Sequence, residues 1–147
     1  MVLRTPGARF TLANFFRATL YATMSTLKLG MDILAKENVR IDSMTGHGGL
    51  FKTPVVGQKY MAAACNAPVT CMETAGEGGP YGMALLAAFM MNKAEGETLE
   101  HYLSDRVFAG VTGTTLDPDP VDVEGFDAYI RRFQAMLAVE RAAVENV

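Results

Sequence analysis

The sequence predicts an α/β fold with parallel strands and crossover helices. Three observations predict it. Apolar residues recur at helical spacing over Thr11 to Leu34, and two short β-prone runs, Val39 to Met44 and Pro68 to Met72, each end in a glycine-rich loop. Each loop in turn leads into a further helical segment, giving the order α-β-loop-α-β-loop-α.

Residues 1–10 form a short lead-in containing Pro6 and Gly7. Thr11 is placed to cap a helix whose face carries Phe16, Leu20, Met24, Leu27, Met31 and Leu34 at steps of three and four, about six turns. "KENVRID" turns the chain into the first strand, which runs straight into "GHGGLFKTPVVGQ" (46–58). Thr53 can cap the next helix and Pro54 suits its first position, with Asn66 and Pro68 ending it. After the second strand, "TAGEGG" opens another loop, and Pro80 starts a helix to about Asn92. That helix, "MALLAAFMM" at its centre, is apolar nearly all round, the pattern of a helix buried in a larger domain, with its methionines as core filler. Thr98 caps a short helix, "AGVTGTTLDPDP" reads as a loop, and residues 119–147 close the chain as a long amphipathic helix with Phe126, Ile130, Phe133 and Leu137 on one face. Two strands make a thin sheet for an independent α/β domain.

Composition narrows the classes. The 147 residues fit one domain, half of them are hydrophobic, and the net charge is -3 with basic residues scattered, which excludes a nucleic-acid footprint. Phe51 is the lone aromatic of its loop, so no base-stacking platform of the single-strand-binding kind exists. Cys65 and Cys71 have neither disulfide-framework nor zinc spacing and read as reduced thiols. The first residues lack a secretory h-region and no uncharged run is long enough for a membrane span, so the expected location is cytoplasmic.

The glycine loops match neither familiar phosphate motif. In a P-loop, glycine directly precedes Lys-Ser/Thr, but Phe51 precedes Lys52 here; the GxGxxG register fails at Phe51 and again at Tyr81. A strand ending in Gly48-Gly49 still lets a flat ligand approach the backbone, at the strand ends where open α/β sheets bind ligands. The same glycines equally serve tight strand-to-helix turns, and spacing alone leaves both readings open. Asp117 and Asp119 lie in Asp-Pro turn chemistry, His47 and His101 form no metal set, and Ser25, Ser43 and Ser104 show no hydrolase arrangement.

"GGLFKTPVVGQ" (48–58) resembles the adenosine-binding segment GGGAKSPLWRQ of the FGGY carbohydrate kinases, with Gly48, Gly49, Lys52, Thr53, Pro54 and Gln58 in register. "ACNAPVTCMETAGEGGPYGMALLAA" is similar to the family's second glycine motif, with Glu77 and Gly82 on its Glu and Gly, and the helix containing "RA" at Arg17-Ala18 is similar to the one that precedes them. The likeness covers about residues 13–93, and its wording is closest to pentulose kinases such as ribulokinase and xylulokinase. Three departures stand out: Leu50 replaces the third glycine, Phe51 replaces a small residue, and Met83 replaces the usual alanine. They alter the walls of an adenine slot and bear on nucleotide preference.

The resemblance implies a portion of an actin-like, ribonuclease-H-like ATPase domain. It implies ATP as phosphoryl donor, Mg2+ held through another domain and the phosphates, and a ketopentose acceptor. The nucleotide-binding residues it implies are Gly48, Gly49, Leu50, Phe51, Lys52, Gln58 and Glu77. For Gln58 the alternative is capping or packing its helix, and for Glu77 it is fixing the second loop. The family's DxGT phosphate loop, its magnesium ligands and its catalytic Asp have no counterpart here, so no catalytic residue is expected and the chain alone should be inactive. It is then the C-terminal part of a kinase whose N-terminal domain is its partner. The alternative is a truncated, non-catalytic module that binds nucleotide or self-associates as a homo-oligomer through its sheet edge and apolar helices.

Overall fold

The computed structural model describes residues 1–146. Val147, the last residue of the expected terminal helix, lies outside the described residues. The chain divides into two compact units, one made of residues 1–42, 60–67 and 118–147, the other of 43–59 and 68–117.

The first unit is helical. Helix α1 (Leu12–Lys36) begins where expected, with the Thr11 hydroxyl accepting from the Asn14 N–H at 3.2 Å. It ends at Glu37, followed by Asn38 in the left-handed region at φ 59°. The buried face is rotated from the expected one. Tyr21, Met24 and Ser25 are buried, whereas Phe16 and Leu34 are exposed. The reason is aromatic packing: the Tyr21 ring meets Tyr60 edge-on at 5.3 Å, Phe126 at 5.1 Å and Tyr129 at 5.2 Å. Ser25 tolerates its position because its hydroxyl donates to the Tyr21 carbonyl at 2.9 Å.

The terminal helix, α2, runs Pro120–Glu145. Its Asp119 cap accepts from the Val121 N–H at 2.8 Å, and Pro120 takes the first turn, where a missing N–H costs nothing. Phe126 and Ile130 are its buried residues, and the Tyr129 hydroxyl donates to the Ala18 carbonyl at 3.1 Å, tying it to α1. Burial pushes the Tyr129 phenol up from its ordinary value.

The second unit holds the sheet. Strand β1 (Met44–Thr45) pairs parallel to β2 (Val69–Met72), with Met44 opposite Val69 and Thr45 opposite Thr70. The two are joined through helix α3 (Val56–Cys65), whose last six residues lie in the first unit. The first strand shares only Met44 with the expected Val39 to Met44, and residues 39–43 form no strand. A third strand, β3 (Gly113–Leu116), pairs antiparallel to β2 from Val69↔Leu116 to Met72↔Gly113. The sheet is therefore mixed, with order β1-β2-β3, and the all-parallel expectation is corrected. "GTTL" lies in the segment expected as loop, since glycine and threonines carry little apolar patterning. Its glycine is required by pairing: a Cβ on Gly113 would fall 2.9 Å from the Cys71 carbonyl oxygen.

Helix α4 (Gly78–Asn92) follows β2. Although apolar all round, it buries no residue, and Met83, Leu86, Met90 and Met91 are each more than half exposed. A helix α5 (Leu99–Tyr102), capped by Thr98 as expected, continues into a π-helical turn, Leu103–Val107. Tyr102 packs edge-on against Phe89 at 5.4 Å, and Arg106 pairs with Glu97 at 3.0 Å.

Truncating Phe126, which has no exposed surface, to alanine should lower unfolding free energy by about 3–5 kcal/mol in a denaturant titration. Burial pushes the Cys65 thiol above its ordinary 9.0, with Lys28 pulling the other way, and burial also raises Cys71. A raised thiol keeps its proton in the folded state. The stability it contributes is complete below the ordinary value and is lost as pH rises through the raised one. Iodoacetamide should therefore alkylate Cys65 more slowly in the folded chain than in urea, and Lys28→Ala should slow it further.

Candidate functional site

The candidate site lies within the second unit, at the ends of the two parallel strands. Beyond β1 the chain passes through Gly46 and His47 to Gly48, which stands at φ 104°, a conformation that favours glycine. A single 3₁₀ turn, Gly49–Lys52, follows, closed by the Phe51 N–H donating to the Gly48 carbonyl at 3.0 Å. Beyond β2 a second 3₁₀ turn, Ala75–Glu77, leads directly into α4. Parallel pairing puts both turns at the same edge, and one backbone bond joins them: the Gly48 N–H donates to the Ala75 carbonyl at 2.6 Å.

The expected cap at Thr53 and helix start at Pro54 are not what forms. Thr53 instead closes the 3₁₀ turn, and α3 starts at Val56. The interruption is Val55, held at φ 69°, where a β-branched residue is strained. Val55 is exposed, so Val55→Gly should relieve that strain and raise stability by about 1 kcal/mol, measured by thermal unfolding.

The seven residues implied by the resemblance separate into groups. Gly48 and Gly49 face open space: a Cβ built on either meets nothing within 4 Å. The same holds for Gly79 in the first turn of α4, which sequence reasoning did not single out although the run "GEGG" signals it. Leu50 is half-buried, and its carbonyl oxygen stands 2.9 Å from a Cβ placed on Gly57. Phe51 lies against Gly46 and Gly57.

Lys52 and Glu77 form an ion pair that links the two turns. The Lys52 stem also crosses Gly76, whose added Cβ would meet Lys52 Cγ at 3.2 Å. Both charges are more than half exposed, so the pair contributes about 0–1 kcal/mol and sets geometry more than stability. Gln58 is buried, and its amide nitrogen donates to the carbonyls of Val69 at 3.1 Å and Thr114 at 2.7 Å, tying the start of α3 to two strands. Sequence reasoning had no route to this partner, because β3 was not recognised. His47 packs over the start of α4: a Cβ on Gly78 would fall 2.6 Å from His47 Cβ, so position 78 must be glycine.

A model of the FGGY family of carbohydrate kinases, C-terminal domain, matches residues 2–91, well over half of the chain and both glycine turns. The chain belongs to the FGGY family of carbohydrate kinases. Neither the curated proteins nor the solved structures contain a match. The carbohydrate-kinase class and the phosphotransfer chemistry of the family therefore frame the site. Among the described residues no group of three or more His, Cys, Asp or Glu side chains could hold a metal ion. No described helix is long and apolar enough to cross a membrane.

Replacing Gln58 by alanine removes both of its hydrogen bonds from a buried site and should cost about 2–4 kcal/mol in thermal or denaturant unfolding.

Proposed function

We propose that this chain supplies the adenosine-contacting wall of the ATP site in an FGGY kinase that phosphorylates a ketopentose of the L-ribulose or D-xylulose class. The observation that carries the proposal is the open glycine face. Two adjoining turns at the ends of parallel strands present Gly48, Gly49 and Gly79 with no side chain between backbone and solvent. A planar base and ribose fit such a face, and backbone groups can reach them closely. The remaining residues of the set, Leu50, Phe51, Lys52, Gln58 and Glu77, build and brace the turns that carry it.

Phosphoryl transfer depends on positioning and on stabilising charge on the transferring group. This chain contributes the first of these to the nucleotide. The acceptor site, the phosphate loop, Mg2+ and the proton-accepting carboxylate belong to the N-terminal domain in this reading, and the chain alone is inactive. The exposed apolar residues of α4 are surface that such a partner would cover. They equally favour the second reading, a non-catalytic module that binds nucleotide or self-associates. Two free thiols accord with a reducing, cytoplasmic setting.

Gly49→Ala separates the ligand face from the fold. Its backbone accepts a side chain and the methyl meets no protein atom, so the thermal midpoint should stay within about 2 °C. Calorimetric titration with ADP should show affinity reduced about tenfold or more. Equal ADP affinity in the two proteins would contradict the proposal, because it would mean that nothing approaches that backbone.

A further inference from the structure

We infer that Phe51 is a positioning residue, the pin that holds the glycine turn in place, and that its ring does not stack on the nucleotide. This rests on the nucleotide reading above. The geometry behind it comes from two buried glycines eleven positions apart. A Cβ on Gly46, at the end of β1, would fall 2.7 Å from Phe51 Cδ1 and nearer still to Cε1 and Cζ. A Cβ on Gly57, in the first turn of α3, would fall 3.0 Å from the same Cδ1 and 2.9 Å from the Leu50 carbonyl oxygen.

The ring thus excludes a side chain at Gly46 and, together with the Leu50 carbonyl, at Gly57. It occupies the space between the strand end and the helix start, on top of backbone. The turn it anchors is the one that carries the open face. The Phe51 N–H closes that turn on the Gly48 carbonyl, and the Gly48 N–H reaches Ala75. Displacing the ring would shift Gly48 and Gly49 together.

Lys52, the next residue, braces the same turn from the other direction through Glu77. Consecutive side chains therefore hold the turn on two sides, one by packing and one by charge. Recognition is left to the backbone between them. A bulky residue in a loop that approaches a planar ligand would otherwise be read as a stacking partner. Here one edge of the half-buried ring already lies against the chain's own backbone at Gly46 and Gly57, and Gly48 and Gly49 meet nothing.

Packing and stacking respond differently to substitution. Leucine retains much of the ring's volume and none of its π-face, whereas alanine retains neither. ADP titrations of Phe51→Leu and Phe51→Ala, at a temperature where both are fully folded by circular dichroism, should show affinity within about threefold of the parent for leucine and reduced about tenfold for alanine. Equal large losses for both would overturn the inference and make Phe51 a nucleotide contact.

A second measurement needs no nucleotide. Gly46→Ala should lower the thermal midpoint sharply in the parent and much less in the Phe51→Ala background, because the clash partner is gone. An unchanged Gly46→Ala effect would overturn the pin. If the parent chain binds no ADP at all, the nucleotide role of Phe51 falls with the reading it rests on, and the Gly46 coupling alone decides whether the ring holds the turn.

Discussion

The hydrogen bond from the Gly48 N–H to the Ala75 carbonyl joins two turns that are far apart in sequence, and its existence depends on β1 and β2 running parallel. In a parallel pair the two strand exits lie at the same edge, so the segments that leave them must pack against each other. Everything distinctive about the site follows from that crowding. Gly46, Gly57, Gly76 and Gly78 each lack a side chain where a neighbour's ring, carbonyl, lysine stem or imidazole already sits. Gly48 lacks one because of its backbone conformation. At Gly49, Gly79 and Gly82 neither packing nor conformation demands glycine.

Much of this was legible in the sequence. Thr11 and Thr98 announce helix starts through capping chemistry, and the structure has helices at both. The two glycine turns, the second strand and the family were also legible, whereas the first strand shares only Met44 with its expected run. What escaped was set by tertiary context. The buried face of α1 follows the aromatic contacts of Tyr21, which periodicity alone cannot weigh against a longer run of Leu and Met. The third strand is antiparallel and made of "GTTL", with no alternation of apolar residues to reveal it. Val55 breaks the approach to α3 in a conformation that no local propensity favours for valine. At the site, the seven expected residues do come from the two adjoining turns and the helix between them. Their separate tasks (open face, pin, brace and sheet tie) depend on distances that spacing does not encode.

In the reading proposed above, this chain holds the nucleotide while another part of an FGGY kinase handles the acceptor. Phosphoryl transfer divides its labour between a part that holds the nucleotide and a part that activates the acceptor and gathers metal and phosphate charge. A nucleotide wall built from backbone needs no perturbed acid or base. Helix α4 then has two roles in one element: its first turn contributes Gly79 to the open face, and its methionine-rich remainder offers apolar surface.

The central claim is that the backbone of the two turns is the nucleotide-contacting surface. Backbone amide shifts recorded by NMR during ADP addition test it most directly. The account predicts saturable shifts concentrated at Gly48, Gly49 and Gly79, with the Phe126 and Tyr129 amides unmoved. Saturable shifts centred on the first unit, or none at the three glycines, would contradict it.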